Sequence, residues 1–315
     1  MPTEIILQTH QLTKNFGRRR AVDGLNLSVP RGEVYGFLGP NGAGKSTTIR
    51  MMLSLVAPTS GSVELFGKPL ARYRRETIRR VGGLVEKADF YLNLSARRNL
   101  EIVAALRGDV SRREIDRALE MLGLGDRAED HVKTYSHGMK QRLGIAQALL
   151  GSPDLVVLDE PTSGLDPQGI KEVRELIGRL CRERGMTVFL SSHLLHEIEQ
   201  TATSMAIINR GKLMVQGAVQ ELLSEDVAAV RIDADPLDRA REAIAGLAFA
   251  TDIRTSGQSI DVRLPQNRIA EVNRLLVQLG IQVRAIIPKR SLEEYFLSLT
   301  EGVSDAEIKD LKDRR

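Results

Sequence analysis

The sequence predicts an α/β fold built on a largely parallel, covered sheet, followed by a smaller α+β unit. Three observations predict it. Short apolar runs bounded by turn residues, the pattern of buried strands, alternate with longer stretches whose apolar residues recur at helical spacing. A glycine-rich segment at 39–44 joins one apolar run to the start of a helix. Near Glu225 the character changes to the order β-α-β-β-α-β.

Taken in order, Ile5-Ile6-Leu7 and Leu25 to Val29 read as strands around a polar turn. Val34 to Leu38 is a short buried strand, and a helix opens near Gly44 and runs through Met51-Met52-Leu53. Ser62 to Phe66 is a further strand. From about Phe90 to Leu150 the reading is mostly helical, with apolar spacing at Leu100, Val103 and Ala104, then at Ile115, Leu119 and Leu122. Leu155 to Leu158 and Thr187 to Ser191 are compact enough for central strands. In the smaller unit, Val227 to Asp233 is a strand and Pro236 to Leu247 a helix. Phe249 to Arg254 and Ser259 to Leu264 form a hairpin around Ser256-Gly257. A helix from Ile269 to Leu279 and a strand from Ile281 to Ile287 complete a ferredoxin-like order. The charged tail beyond Gly302 reads as a solvated helix or frayed end.

Composition narrows the function classes. Hydrophobic residues at 42% and charged residues at 27% provide for a packed core, which excludes a mainly disordered chain. A net charge of +4 gives no basic stripe, so no nucleic acid is expected. No apolar run approaches the ~20 residues of a membrane helix, and Met1 to Phe16 lacks the pattern of a signal peptide. Any membrane role is expected to come through a partner. Cys181 stands alone in the sequence, which excludes an internal disulfide and reads as a small buried apolar group in a helix.

Two motifs carry chemistry. Gly39-Pro40-Asn41-Gly42-Ala43-Gly44-Lys45-Ser46-Thr47 follows a strand and opens a helix, the setting of a phosphate-binding loop. Glycines let successive N–H groups curl around an anion, and the helix N-terminus adds partial positive charge. Lys45 supplies a mobile ammonium for the β and γ phosphates, the Ser46 hydroxyl suits Mg²⁺, and Thr47 suits the α-phosphate. The second motif, Leu155 to Glu160, is an apolar strand ending in two carboxylates. At the carboxyl end of a central strand, Asp159 can serve the Mg²⁺ shell and Glu160 can polarise an attacking water.

Between them lies Tyr135-Ser136-His137-Gly138-Met139-Lys140-Gln141-Arg142, which resembles the ABC signature usually written Leu-Ser-Gly-Gly-Gln. Pro161-Thr162-Ser163-Gly164-Leu165-Asp166 resembles the family's D-loop, and Val188 to His193 its switch histidine and the strand before it. Over about residues 3 to 225 the chain therefore resembles an ABC transporter ATP-binding subunit, of the separate-chain form found in bacterial exporters of drugs, antibiotics or lipids.

The resemblance implies a P-loop NTPase core of the ABC type over 1–225, with a mixed sheet and a helical subdomain at about 88–150. A C-terminal α+β domain over 226–300 and a charged tail over 301–315 follow, and Ser291 to Thr300 looks like a tail common in that branch. It implies ATP and Mg²⁺ as cofactors and hydrolysis of ATP. It places Ser136 and Gly138 with the nucleotide of a second copy, far from their own chain's phosphate loop, in a homodimer or heterodimer of ATPase subunits, and counts Asp166 among the nucleotide-binding residues. His193 is implied at the γ-phosphate or attacking water, and Phe16 in a stack on adenine; hairpin packing is the other reading of Phe16. Integral membrane subunits and a cytoplasmic site on the inner face of the membrane are implied too. Phe90-Tyr91-Leu92 is either a docking contact for those subunits or a packing cluster. Arg18-Arg19-Arg20 is read first as a solvated turn, with a nucleotide or lipid contact second.

Two positions depart from the family pattern. Glu86 stands where glutamine is usual and can still ligate Mg²⁺, and His137 replaces a glycine. A soluble ABC ATPase acting on nucleic acid or the ribosome, and a nucleotide-gated binding module without turnover, are the alternatives. The single core and mild charge speak against the first, and Glu160 with His193 against the second.

Overall fold

The computed structural model describes residues 4–86, 88–223 and 227–289. Lys87, the expected boundary at 225–226, the Ser291–Thr300 segment and the charged tail lie outside them. The chain divides into two compact units, the first running to Val219 and the second beginning at Gln220.

The first unit opens with β1 (Ile5–Phe16), β2 (Arg19–Leu25), β3 (Ser28–Pro30) and β4 (Val34–Leu38), followed by α1 (Lys45–Met52), β5 (Ser60–Leu65), β6 (Lys68–Pro69), α2 (Leu70–Ile78) and β7 (Val81–Leu84). A helical layer follows: α3 (Ala96–Arg107), α4 (Arg112–Met121) and α5 (His137–Leu149). Then come β8 (Leu155–Asp159), α6 (Pro167–Arg184), β9 (Thr187–Ser192), α7 (Leu195–Thr201), β10 (Ser204–Asn209) and β11 (Lys212–Ala218), and α8 (Val219–Leu223) begins where the second unit takes over.

Two sheets form. One is antiparallel, in the order β2-β1-β5-β6 with β3 on β1. The other runs β11-β10-β4-β9-β8-β7 and is parallel except at β11. Every residue of β4, β8 and β9 is buried, as expected for continuous apolar runs in a covered parallel sheet. Phe189 stacks on Tyr35 at 5.7 Å between ring centroids and meets Phe37 at 5.4 Å, locking β9 to β4.

Leu25 to Val29 is not one strand. Asn26 interrupts it, its Oδ1 accepting a 2.7 Å bond from the Gln11 N–H, so the ladder breaks into β2 and β3. The helical stretch resolves into three helices, each capped by a serine. Ser95 accepts from the Arg98 N–H, Ser111 forms a capping box with Glu114, and Ser136 accepts from the Met139 N–H at 3.2 Å. Each such cap is worth about 1 kcal/mol. Cys181 lies in a helix as expected, but it is only half-buried and its Sγ donates to the Gly32 carbonyl at 2.9 Å. Partial burial pushes its thiol pKa up, which makes it less reactive.

The second unit contains β12 (Val227–Asp235), α9 (Leu237–Ala245), β13 (Thr251–Ser256), β14 (Ser259–Pro265), α10 (Ile269–Gln278) and β15 (Gln282–Lys289). Its sheet order is β13-β14-β12-β15, with every neighbouring pair antiparallel. The β-α-β-β-α-β order is the one read from the sequence. Its own core joins Ile232, Ile244, Ile260, Leu264, Val272 and Leu276. Leu279, read as the last residue of this helix, lies one past the end of α10 and is exposed.

Asp154, at the start of β8, accepts from Arg80 at 2.8 Å and from Arg31 at 3.1 Å. Arg80 first, then Arg31, hold its carboxyl below the usual range. Because the folded value is depressed, the stabilisation is present above the ordinary Asp range and is lost as pH falls through the folded value. Discounted for partial exposure, the pairing is worth about 0.5–1 kcal/mol. Asp154→Asn should lower stability by that amount at pH 7, and the gap from wild type should narrow below about pH 4 in urea titrations.

Gly82 in β7 has a different constraint: a Cβ there would lie 1.8 Å from the Ala148 carbonyl oxygen of α5. Gly82→Ala should therefore destabilise by about 2 kcal/mol or more. At exposed Gly83 the nearest atom is a flexible end of Leu53, 3.1 Å away, so Gly83→Ala should cost far less. Equal losses for the two variants in denaturant unfolding would contradict the close approach of strand and helix.

Candidate functional site

The loop from Gly39 to Gly44 joins the carboxyl end of β4 to the first turn of α1. Gly44 has φ 111 as the residue before the helix, and a Cβ on it would meet the Ala21 carbonyl at 2.5 Å. Both the backbone angle and the space demand glycine. Lys45, only 6% exposed, donates from Nζ to the Gly39 carbonyl at 2.7 Å and the Pro40 carbonyl at 3.3 Å. The same ammonium lies 3.4 Å from Glu160 Oε1. A nearly buried cation is thus compensated by two carbonyl dipoles and a carboxylate.

Parallel register sets the rest. Leu38 of β4 pairs with Ser192 of β9, and Ser191 of β9 pairs with Asp159 of β8. The residues just beyond these strand ends therefore meet at one edge. The Ser191 hydroxyl donates to Asp159 Oδ1 at 2.5 Å and accepts from the Glu160 N–H at 2.9 Å, fixing both acids. Glu160 has φ 48, a left-handed conformation that costs roughly 1 kcal/mol or more in a side-chain-bearing residue and points to a site under constraint. Its Oε2 lies 3.2 Å from His193 Nδ1.

Phe16, Asn41, Gly42, Gly44, Lys45, Ser46, Thr47 and Glu160 line one cleft of about 300 Å³, together with Arg19 and Ala21. Phe16 is half-exposed, with the Lys14 ammonium 5.1 Å from its ring centroid. Gly39 and Pro40 contribute the carbonyls that hold Lys45, and Ala43 is buried beneath the loop. Arg19 lines this cleft while remaining exposed to solvent, as do its neighbours Arg18 and Arg20 outside it.

A second cleft gathers Ser46, Glu86, Asp159 and Glu160 with His137, Gln141 and Ser163. Its hydroxyl and carboxylate oxygens are the donors a hard cation such as Mg²⁺ takes. Among the described residues no group of three or more His, Cys, Asp or Glu side chains forms a metal cage. Glu86 has φ 62 and pairs with Arg50 of α1. Arg50 offsets the charge that glutamate brings to a position where glutamine was expected.

Ser136, Gly138 and Asp166 line a third cleft, with Arg142, Gly164 and Glu172 and without the phosphate-loop residues. The structure does not bring them to their own loop. Asp166 caps α6, accepting from the Gly169 N–H at 3.0 Å. His137, between Ser136 and Gly138, lines both this cleft and the acid cleft of its own chain, with Nε2 3.2 Å from the Ser163 carbonyl. Sequence reasoning missed Ser191, which fixes both acids, and the hydrogen bonds that join Thr162 and Ser192 of the motifs to Glu197. The only signal was that Ser191 and Thr162 sit inside the quoted motifs.

Among the described residues no helix is long and apolar enough to cross a membrane. A family model described as ABC transporter matches residues 22–163. The bacitracin transport ATP-binding protein BcrA of Bacillus licheniformis is 43% identical over 94% of this chain and 98% of its own length. The daunorubicin/doxorubicin resistance ATP-binding protein DrrA of Streptomyces peucetius is 36% identical over 96% of this chain and 94% of its own. A solved ATP-binding subunit of an ABC transporter superposes with a TM-score of 0.62 at 29% identity, covering 69% of this chain and 91% of that one. The chain belongs to the ABC transporter family, as an ATP-binding and ATP-hydrolysing subunit.

Proposed function

We propose that this subunit powers export of an antibiotic- or drug-like compound through separate integral membrane subunits, as a dimer closed around two ATP molecules on the inner face of the cell membrane. The observation that carries the hydrolytic part is the meeting of Lys45, Asp159, Glu160 and His193 at one edge of the parallel sheet. Export and the compound class rest on the bacitracin and daunorubicin/doxorubicin relatives. Membrane docking rests on Tyr91 and Leu92, exposed at 64% and 49% just after the Glu86 loop. The C-terminal unit is assigned an accessory role.

In this reading the loop N–H groups from Gly39 to Thr47 and the Lys45 ammonium hold the phosphates, and Phe16 stacks on adenine. Ser46, Asp159 and Glu86 hold Mg²⁺, which when bound neutralises charge on the β and γ phosphates. Glu160 orients the attacking water and accepts its proton, while His193 holds the γ-phosphate and the carboxylate in register. Ser136, Gly138 and Asp166 act on the nucleotide of the facing copy, so that only the closed dimer makes both sets of phosphate contacts. Loss of the γ-phosphate removes the bridge and releases the dimer.

Glu160→Gln should bind ATP, lose about a thousandfold or more in turnover and accumulate as an ATP-held dimer on a sizing column. Lys45→Ala should weaken ATP binding itself and stay monomeric. A Glu160→Gln protein that remains monomeric at saturating ATP contradicts the proposal.

A further inference from the structure

Glu197 has no part in the roles assigned above. It lies in the first turn of α7 and is 8% exposed. Its Oε2 accepts two hydrogen bonds: 2.7 Å from the Thr162 hydroxyl and 2.9 Å from the Ser192 hydroxyl. Ser192 immediately precedes His193, and Thr162 lies two residues past Glu160. The Ser192 hydroxyl has one proton and also lies 3.2 Å from the Leu194 carbonyl, so the shorter contact to a charged acceptor wins. The same Ser192 oxygen accepts from the Leu194 N–H at 2.9 Å, which fixes the backbone on the far side of His193.

The other oxygen, Oε1, is buried without a hydrogen-bond partner among the described residues. A buried carboxylate oxygen left unpaired costs about 1–3 kcal/mol, so an acid at this position is not what stability alone would select. An apolar side chain could fill the space. The cost makes sense if the two bonds at Oε2 do something else.

Glu160 needs holding. Its left-handed backbone persists only where neighbours over-determine it. Ser191 fixes its N–H from behind, and its carbonyl accepts from the Ser163 N–H at 3.1 Å. Thr162, inside that turn, is tied down by Glu197 alone among the side-chain bonds described for it.

We propose that Glu197 is a positioning residue for ATP hydrolysis. One carboxylate oxygen clamps the turn that carries Glu160 to the strand end that carries His193, and so sets the 3.2 Å separation of those two groups. The proposal rests on the reading of Glu160 and His193 as the hydrolytic pair. Glu197 touches neither nucleotide nor water, and its effect is exerted through Thr162 and Ser192.

The test compares Glu197→Ala, Glu197→Gln, Thr162→Val, the double variant Glu197→Ala/Thr162→Val, and Glu160→Gln. ATP turnover, ATP affinity and thermal unfolding are measured for each. Glu197→Ala should lower kcat by about tenfold or more while KM for ATP changes by less than about threefold. Glu197→Gln should recover most of the loss, because its amide oxygen can still accept from both hydroxyls. Thr162→Val should lower kcat alone but add little to Glu197→Ala, since both cut one clamp. If Glu197→Ala does not fold, the Glu197→Gln and Thr162→Val arms decide. Wild-type kcat in Thr162→Val, or additive losses in the double variant, overturns the clamp. Equal losses in kcat and ATP affinity overturn it as well. Residual turnover in Glu160→Gln would instead strike at the reading of Glu160, whatever the Glu197 variants do.

Discussion

The whole site depends on the register of three parallel strands. With Leu38 opposite Ser192 and Asp159 opposite Ser191, the carboxyl ends of β4, β9 and β8 finish level. The phosphate loop, the acid pair and His193 each leave one of these ends, so they converge without any long-range side-chain reach. Slipping β9 by one residue would turn the Ser191 hydroxyl away from both acids. The Tyr35–Phe189–Phe37 ring contacts and the full burial of all three strands hold that register. Packing chemistry in the middle of the sheet thereby fixes electrostatic chemistry at its edge.

Much of this was legible in the sequence because the site residues lie in contiguous motifs. Lys45 and Ser46 follow glycines that only a tight loop requires, and Asp159-Glu160 ends a run too apolar for anything but a central strand. The parts that were not legible depend on contacts between distant segments. Gly82 makes β7 look weak by composition, yet it is glycine because the Ala148 carbonyl of α5 presses on it. Strands β10 and β11 were not read from the sequence, and α6 was read only as an unbounded helix around Cys181, since no motif sets their limits. Ser191 looked like one more small residue in a strand, and its bonds to Asp159 and Glu160 bridge positions about thirty residues apart. His137 could not be placed beside its own acid pair, because the direction of a side chain at a helix start follows from the cap at Ser136.

The first turn of α5 faces two ways. Ser136 and Gly138 line a cleft that holds none of the phosphate loop, Gln141 reaches the cleft of its own acids, and His137 lines both. One helix end therefore contacts the acid cleft of its own chain and offers a separate capped surface outward. The departures from the family pattern fall within the same small region: Glu86 is offset by Arg50, and His137 leans on the Ser163 carbonyl in the turn that follows Glu160. Charge and volume added at these two positions are absorbed locally, with the strands left undisturbed.

The central claim is that a working site takes Lys45 from one copy and Ser136 from another. Two inactive variants, Lys45→Ala and Ser136→Arg, are assayed separately and then mixed. In a mixed dimer one site carries both defects and the other carries neither, so ATP hydrolysis should reappear, at up to about half the wild-type rate per mixed dimer if sites act independently. A mixture that stays as inactive as its components would contradict the claim, because it would mean that each nucleotide is processed within a single copy.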